Sequence, residues 1–172
     1  MYSKFDIGYY LEECRERLSR LCINLCSNRH DAEDLFQDTC LRAVKYFKKY
    51  NRDMDFEKWI FRICVNTYRT NLKRKNRYKT ITFETTYEYD LFFSCIPENE
   101  HQHDERYRDL LIAVNKLPEK YRTILVMRYF NDYSEEETAK IIGIPKGTVK
   151  SRLSKAKKII REVIECEECN DR

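Results

Sequence analysis

Apolar residues recur along this chain at steps of three and four. Val149, Leu153, Ala156, Ile160 and Val163 draw one stripe, which predicts a helix running to about residue 165. A shorter helix precedes it: Ser134 is placed to cap it, Glu137 stands three residues on as a capping box requires, and Ala139 and Ile142 give it an apolar side. Gly143 lets the backbone turn between the two, and Pro145 suits the start of the second. Two short helices at this spacing predict a helix-turn-helix, whose second helix enters the major groove of DNA.

The same periods organise the rest of the chain. Residues 5–26 are helical in composition. Asp31 is placed to cap a second helix, in which Ala32, Leu35, Phe36, Thr39, Ala43, Tyr46, Phe47 and Tyr50 recur at helical steps. A loop at 51–55 leads to a third helix with Phe56, Trp59, Ile60, Ile63 and Thr67 on its buried side. Residues 78–104 hold no period. Helical patterns return at 105–117 and from Leu117-Pro118-Glu119-Lys120-Tyr121-Arg122 to about 129. The predicted fold is all-α: two small helical domains, 1–77 and 105–172, joined by a flexible linker at 78–104. With only three Gly and three Pro, the composition agrees.

Charge sharpens this division. Residues 1–77 carry 17 Lys/Arg against 11 Asp/Glu, residues 78–104 carry one against six, and residues 105–172 carry 15 against 12. Two basic modules flank an acidic connector, a distribution suited to nucleic acid at either end and not between. On the last long helix Thr148, Ser151, Ser154, Lys155 and Lys158 point away from the apolar stripe, Lys150 and Arg152 flank it, and no acid falls between Lys146 and Lys158. Such a face neutralises phosphates and reaches base edges. On the third helix Lys58, Arg62, Asn66, Arg69 and Lys73 form a polar stripe, read as lying away from Trp59 and Ile63, and no acid occurs from Lys58 to Arg77. A basic stripe with one Asn suits phosphate contacts and a single base contact. The second helix instead exposes Glu33, Asp34, Gln37 and Asp38, a face fit for a basic or polar partner.

Other chemistries find little support. No secretory signal or membrane-length apolar run occurs, so the eight cysteines read as cytosolic thiols. Cys22, Cys26 and His30 fall at i, i+4 and i+8, but they interleave with Leu18, Leu21 and Leu25, and buried cysteines beside a core stripe are the better reading. Cys166 and Cys169 have redox or zinc spacing without a second pair, and His101 and His103 lie in the connector. No metal, cofactor or catalytic residue is expected.

Taken in order, these pieces make the chain resemble the extracytoplasmic-function sigma factors of bacterial RNA polymerase, in the sigma-70 family. Asp31-Ala32-Glu33-Asp34-Leu35-Phe36-Gln37-Asp38 and Phe56-Glu57-Lys58-Trp59-Ile60-Phe61-Arg62-Ile63-Cys64-Val65-Asn66 are similar to the family's σ2 domain. Leu117-Pro118-Glu119-Lys120-Tyr121-Arg122 and Gly143-Ile144-Pro145-Lys146-Gly147-Thr148-Val149-Lys150-Ser151-Arg152-Leu153 are similar to σ4. The resemblance implies an alternative sigma factor that binds core polymerase and directs promoter recognition, DNA opening and initiation. It assigns Asp34, Gln37 and Asp38 to the β′ clamp helices, and Asn66, Arg62, Arg69 and Lys73 with the 51–55 loop to the unwound minus-ten element. Thr148, Lys150, Ser151, Arg152, Lys155 and Lys158 go to the minus-thirty-five element. The implied partners are core RNA polymerase, including its β flap, promoter DNA and an anti-sigma factor. The implied place of action is the bacterial cytoplasm, with no membrane insertion of the chain's own but with retention at the membrane by an anti-sigma factor open to it. A stand-alone helix-turn-helix regulator would account for 117–165, yet it leaves the Asn-bearing helix and the acidic connector idle. An enzyme lacks any Gly-rich phosphate loop or hydrolase motif here.

Overall fold

A computed structural model describes residues 6–26, 28–78 and 105–170. Two compact units divide the chain, Met1–Thr85 and Thr86–Arg172. The predicted linker, apart from Tyr78, lies outside the described residues, as do His101, His103 and the side chains of Cys166 and Cys169. All regular structure among the described residues is helical.

The first unit is built from α1 (Ile7–Leu25), α2 (Arg29–Tyr46), a 3-10 turn (Phe47–Lys49) and α3 (Phe56–Tyr78). The three helices pack on one another pairwise. Leu18, Leu21 and Leu25 of α1, Leu35 and Ala43 of α2, and Ile60, Phe61 and Cys64 of α3 make the core, each at most 1% exposed. Two buried threonines close their hydrogen bonds locally: Thr39 Oγ1 donates to the Leu35 carbonyl at 2.7 Å and Thr67 Oγ1 to that of Ile63 at 2.8 Å. Neither hydroxyl therefore leaves an unpaired donor in the core.

Three sequence expectations change here. Asp31 does not cap α2. The cap is Asn28, whose side chain accepts from the Asp31 main-chain N–H at 2.8 Å and whose Nδ2 donates to the Asp31 carboxylate at 3.0 Å. Asp31 sits in the first turn, where its charge still complements the helix N-terminus. Cys22, Cys26 and His30 do not share one helix face, because α1 ends at Leu25 and His30 belongs to α2 with an exposed ring. Cys22 instead packs in the core with its Sγ 3.7 Å from that of Cys64. The buried side of α3 is also wider than predicted. Phe61, Cys64, Val65 and Tyr68 join it, while Trp59 and Ile63 lie only at its half-buried edge.

The second unit runs through α4 (Glu105–Lys116), α5 (Glu119–Leu125), a π turn (Val126–Phe130), α6 (Glu135–Ile142) and α7 (Lys146–Asn170). α4, α5 and α6 each pack against α7, whose Val149, Leu153, Ala156 and Ile160 are buried as the stripe predicts. The π turn replaces the regular end expected near residue 129. Asn131 satisfies the freed Val126 carbonyl through Nδ2 at 3.1 Å, Tyr133 N–H donates to the Met127 carbonyl at 3.2 Å, and Asp132 between them adopts φ 55°.

Candidate nucleic-acid and polymerase interfaces

The helix-turn-helix is set by its ends. Ser134 Oγ accepts from the Glu137 N–H at 3.2 Å, and Glu137 Oε2 accepts from the Ser134 N–H at 3.0 Å, which completes the predicted capping box. At the other end Gly143 takes φ 74° and ψ 42°, and the N–H groups of Gly143 and Ile144 both donate to the Ala139 carbonyl. A side chain at that φ would crowd its own carbonyl, so the turn needs the glycine. Pro145 stands just before the first helical residue, and its carbonyl accepts from Thr148 and Val149 at 2.9 and 3.2 Å.

The turn presents the predicted reading face of α7. Lys150, Ser151, Lys155 and Lys158 are exposed, and Thr148 and Arg152 are half-buried. Ser151 Oγ donates to the Thr148 carbonyl at 3.1 Å. Among the described residues Lys150 and Lys155 have no acidic partner, whereas Lys158 lies 3.7 Å from Glu162. Lys157 was not picked out from the sequence. Its ammonium lies 5.1 Å from the centre of the Tyr129 ring, a contact made between elements and therefore invisible to periodicity.

On α3, Arg62, Asn66 and Lys73 are exposed and Arg69 is half-buried. Asn66 does not point away from Trp59. At about 100° per residue the two point only about 20° apart, with about two turns of helix between them. Trp59 belongs to an aromatic cluster, with its ring 5.0 Å from that of Tyr50 and 5.4 Å from that of Phe56. Tyr10 stacks on Phe56 at 4.8 Å, and Phe47 stacks on Tyr50 at 5.9 Å. This cluster seats both ends of the 51–55 loop. Within the loop Asn51 Oδ1 accepts from the Asp53 N–H at 3.0 Å, and Asp55 Oδ1 accepts from the Lys58 N–H at 3.1 Å, which starts α3. The loop residues themselves are exposed. Burial, with smaller contributions from Tyr10 and Asp55, raises the Tyr50 hydroxyl above its ordinary range and keeps it neutral.

On α2, Asp34 and Gln37 are exposed, but Asp38 is half-buried and accepts from Asn71 Nδ2 of α3 at 3.2 Å. Lys75 of α3 likewise pairs with Asp31. A cleft of about 290 Å³ lies between the two helices, with Asp31, Asp34 and Asp38 on one wall and Arg74 and Lys75 on the other. The acidic residues thus divide into Asp34, open to a partner, and Asp31 and Asp38, engaged by α3. Leu41 and Val44 continue the Asp34–Gln37 face at steps of four and three and are 69% and 54% exposed. The signal for them was present in the sequence: two large aliphatics off the buried stripe but in phase with the acidic face.

Among the described residues no helix is long and apolar enough to cross a membrane, and no group of three or more His, Cys, Asp or Glu side chains is arranged to hold a metal.

Comparison with known proteins agrees with this division. Residues 11–78 match the sigma-70 region 2 family and residues 107–160 match sigma-70, region 4. The RNA polymerase sigma factor SigV of Bacillus subtilis is 30% identical over 83% of this chain and 81% of its own length. The ECF RNA polymerase sigma-E factor of Haemophilus influenzae is 30% identical over 80% and 77%. Among solved structures, the sigma factor RpoE of Bartonella quintana, in complex with the anti-sigma factor NepR, has a TM-score of 0.75 at 24% identity and covers 93% of this chain and 97% of its own. CnrH, in complex with the cytosolic domain of CnrY, has a TM-score of 0.66 at 19% identity, covers 92% and 87%, and shares the fold. With region 2 on the bundle that carries the Asn66 stripe and region 4 on the helix-turn-helix, the chain belongs to the extracytoplasmic-function sigma factors, the alternative sigma factors that direct promoter-specific initiation of transcription.

Proposed function

We propose that three faces divide the work of initiation. The α2 face of Asp34, Gln37, Leu41 and Val44 docks on the β′ clamp helices of core RNA polymerase, with a second contact between the region 4 unit and the β flap. The Arg62, Asn66, Arg69 and Lys73 stripe of α3, with the 51–55 loop, takes the unwound minus-ten strand. The exposed face of α7, with Thr148, Lys150, Ser151, Arg152, Lys155 and Lys158, reads the minus-thirty-five element. The observation that carries this reading is the unbroken cationic and small polar face of α7 behind a complete capping box and a left-handed glycine turn. That geometry presents short and long polar side chains to base edges while the buried stripe fixes the helix.

The minus-ten assignment draws support from the neighbours of Asn66. Its exposed amide can read a base edge, and the half-buried Trp59 indole on the same side of α3, about two turns away, offers a stacking surface; an unstacked base requires both. Docking through α2 draws support from exposed aliphatics beside an open carboxylate: apolar contact supplies affinity and Asp34 supplies orientation. An anti-sigma factor is a further expected partner, because a solved structural neighbour, the sigma factor RpoE, is in complex with the anti-sigma factor NepR. Such a factor acts where the polymerase is, in the bacterial cytoplasm.

Footprinting with and without core polymerase tests this reading. Protection spanning both promoter elements is expected only when core is present. Protection of a duplex operator by the free chain, unchanged by core, would instead mark a stand-alone regulator.

A further inference from the structure

Tyr129 is the one large aromatic of the region 4 unit, among the described residues, to stand substantially in solvent, with 47% of its surface exposed. It lies in the π turn, where the wider winding swings it out of register with its buried neighbours Val126 and Met127. Two cations converge on its ring: the Arg128 guanidinium carbon lies 5.6 Å from the ring centre and the Lys157 ammonium 5.1 Å. Neither cation has an acidic partner among the described residues. Like charges gathered on one exposed ring repel each other. The ring's negative face reduces that cost without cancelling the charge, so the site's complement is an anion.

The direction of Lys157 says which anion. Measured from Val149 at the centre of the buried stripe, Lys157 points at about 80°, Lys150 at about 100° and Arg161 at about 120°. All three are exposed. They form one flank of α7, with Lys150 at the N-terminal end that approaches base edges and Lys157 and Arg161 about two to three turns further on, beside the groove wall; Arg152 and Thr148 lie on the opposite flank. A helix that lays its outer face in a major groove turns its flanks toward the two groove walls, which are phosphate backbones. The geometry points to a phosphate clamp made by Arg128, Tyr129 and Lys157 on one strand beside the minus-thirty-five element. Tyr129 is its positioning residue, holding both cations toward the wall. The clamp rests on the reading of α7 as the minus-thirty-five helix. Lys158 is the weaker phosphate candidate, because Glu162 lies 3.7 Å from it.

Holoenzyme binding to duplex promoter across a salt series tests the clamp. Each lost phosphate contact flattens the slope of log K against log salt by about one. Lys157→Ala is expected to lose about one and the Arg128→Ala/Lys157→Ala double variant about two, both without changing the ranking of a minus-thirty-five mutant panel. Tyr129→Phe should keep the wild-type slope, and Tyr129→Leu should approach that of Lys157→Ala. A wild-type slope in the double variant overturns the clamp, and a wild-type slope in Tyr129→Leu overturns the positioning role. Lys150→Ala/Lys155→Ala in the same panel separates the two failures. If it changes the ranking while the double variant keeps its slope, the clamp alone falls. If neither changes, the placement of α7 on the minus-thirty-five element falls with it.

Discussion

Asn66 and Trp59 show how much a single position decides. Both face the polar side of α3, Asn66 fully and Trp59 at its edge. Asn66→Ala should lower open-complex formation and blur preference at one minus-ten position while leaving core affinity unchanged. Holoenzyme that opens promoters at the wild-type rate with unchanged minus-ten preference would remove Asn66 from the site. The buried thiols give a second test at this scale. Burial first, then the nearby carboxylates of Glu57 and Asp55, raise the Cys14 thiol from 9.0 to about 11. Burial and the Cys64 thiol hold Cys22 well above 9.0. The folded chain thus keeps protons that the unfolded chain releases, so this contribution to stability is whole below about pH 9 and lost as pH rises toward 11. The denaturation midpoint should fall between pH 9 and 11 by less in Cys14→Ala than in wild type. Equal falls would show that Cys14 does not carry the linkage.

At the scale of elements, the ends decide more than the middles. α6 has only eight residues and could not hold by propensity alone. Its capping box and left-handed exit fix the angle at which α7 leaves. Ser134→Ala should cost about 1 kcal/mol, as the loss of a side-chain cap usually does. Gly143→Ala should cost about 1–2 kcal/mol, because alanine at positive φ crowds its own carbonyl. Both are read as shifts in urea midpoint. A Gly143→Ala chain as stable as wild type would mean that the turn can relax without the left-handed residue. On α2 the corresponding probe is Asn28, not Asp31: Asn28→Ala removes the cap, whereas Asp31→Ala leaves the cap to the main chain in place and removes a first-turn charge, its pairing with Lys75 and the hydrogen bond from Asn28 Nδ2.

For the whole molecule, the useful variants are those that separate docking from folding. Asp34→Arg and Leu41→Glu change exposed side chains of α2. Each should weaken binding to core polymerase while moving stability by no more than about 0.5 kcal/mol, as surface changes usually do. Core affinity that survives both changes together would place the docking face elsewhere. Asp38→Arg is a poorer probe, because Asp38 is tied to Asn71 and its reversal also strains the contact between α2 and α3. The division into two units suggests a simpler control. Chains of residues 1–85 and 86–172, expressed apart, should each be helical and melt cooperatively.

What the sequence by itself determined was whatever repeats at a fixed step. The buried stripe of α7, the capping box and the glycine turn are all local patterns, and the structure has them where the residues predict. The same holds for the order of region 2 before region 4, because motif order is a property of the chain. Only the tertiary structure decided matters that depend on a partner far along the chain. Asp38 and Asp31 look as open as Asp34 until Asn71 and Lys75 of α3 reach them. Cys22 looks aligned with His30 until the break after Leu25 sends it to Cys64, 42 residues away. Lys157 looks like any solvated lysine until the π turn brings Tyr129 beneath it. Periodicity reports which way a side chain points from its own helix axis; what it meets there is set by how the helices pack.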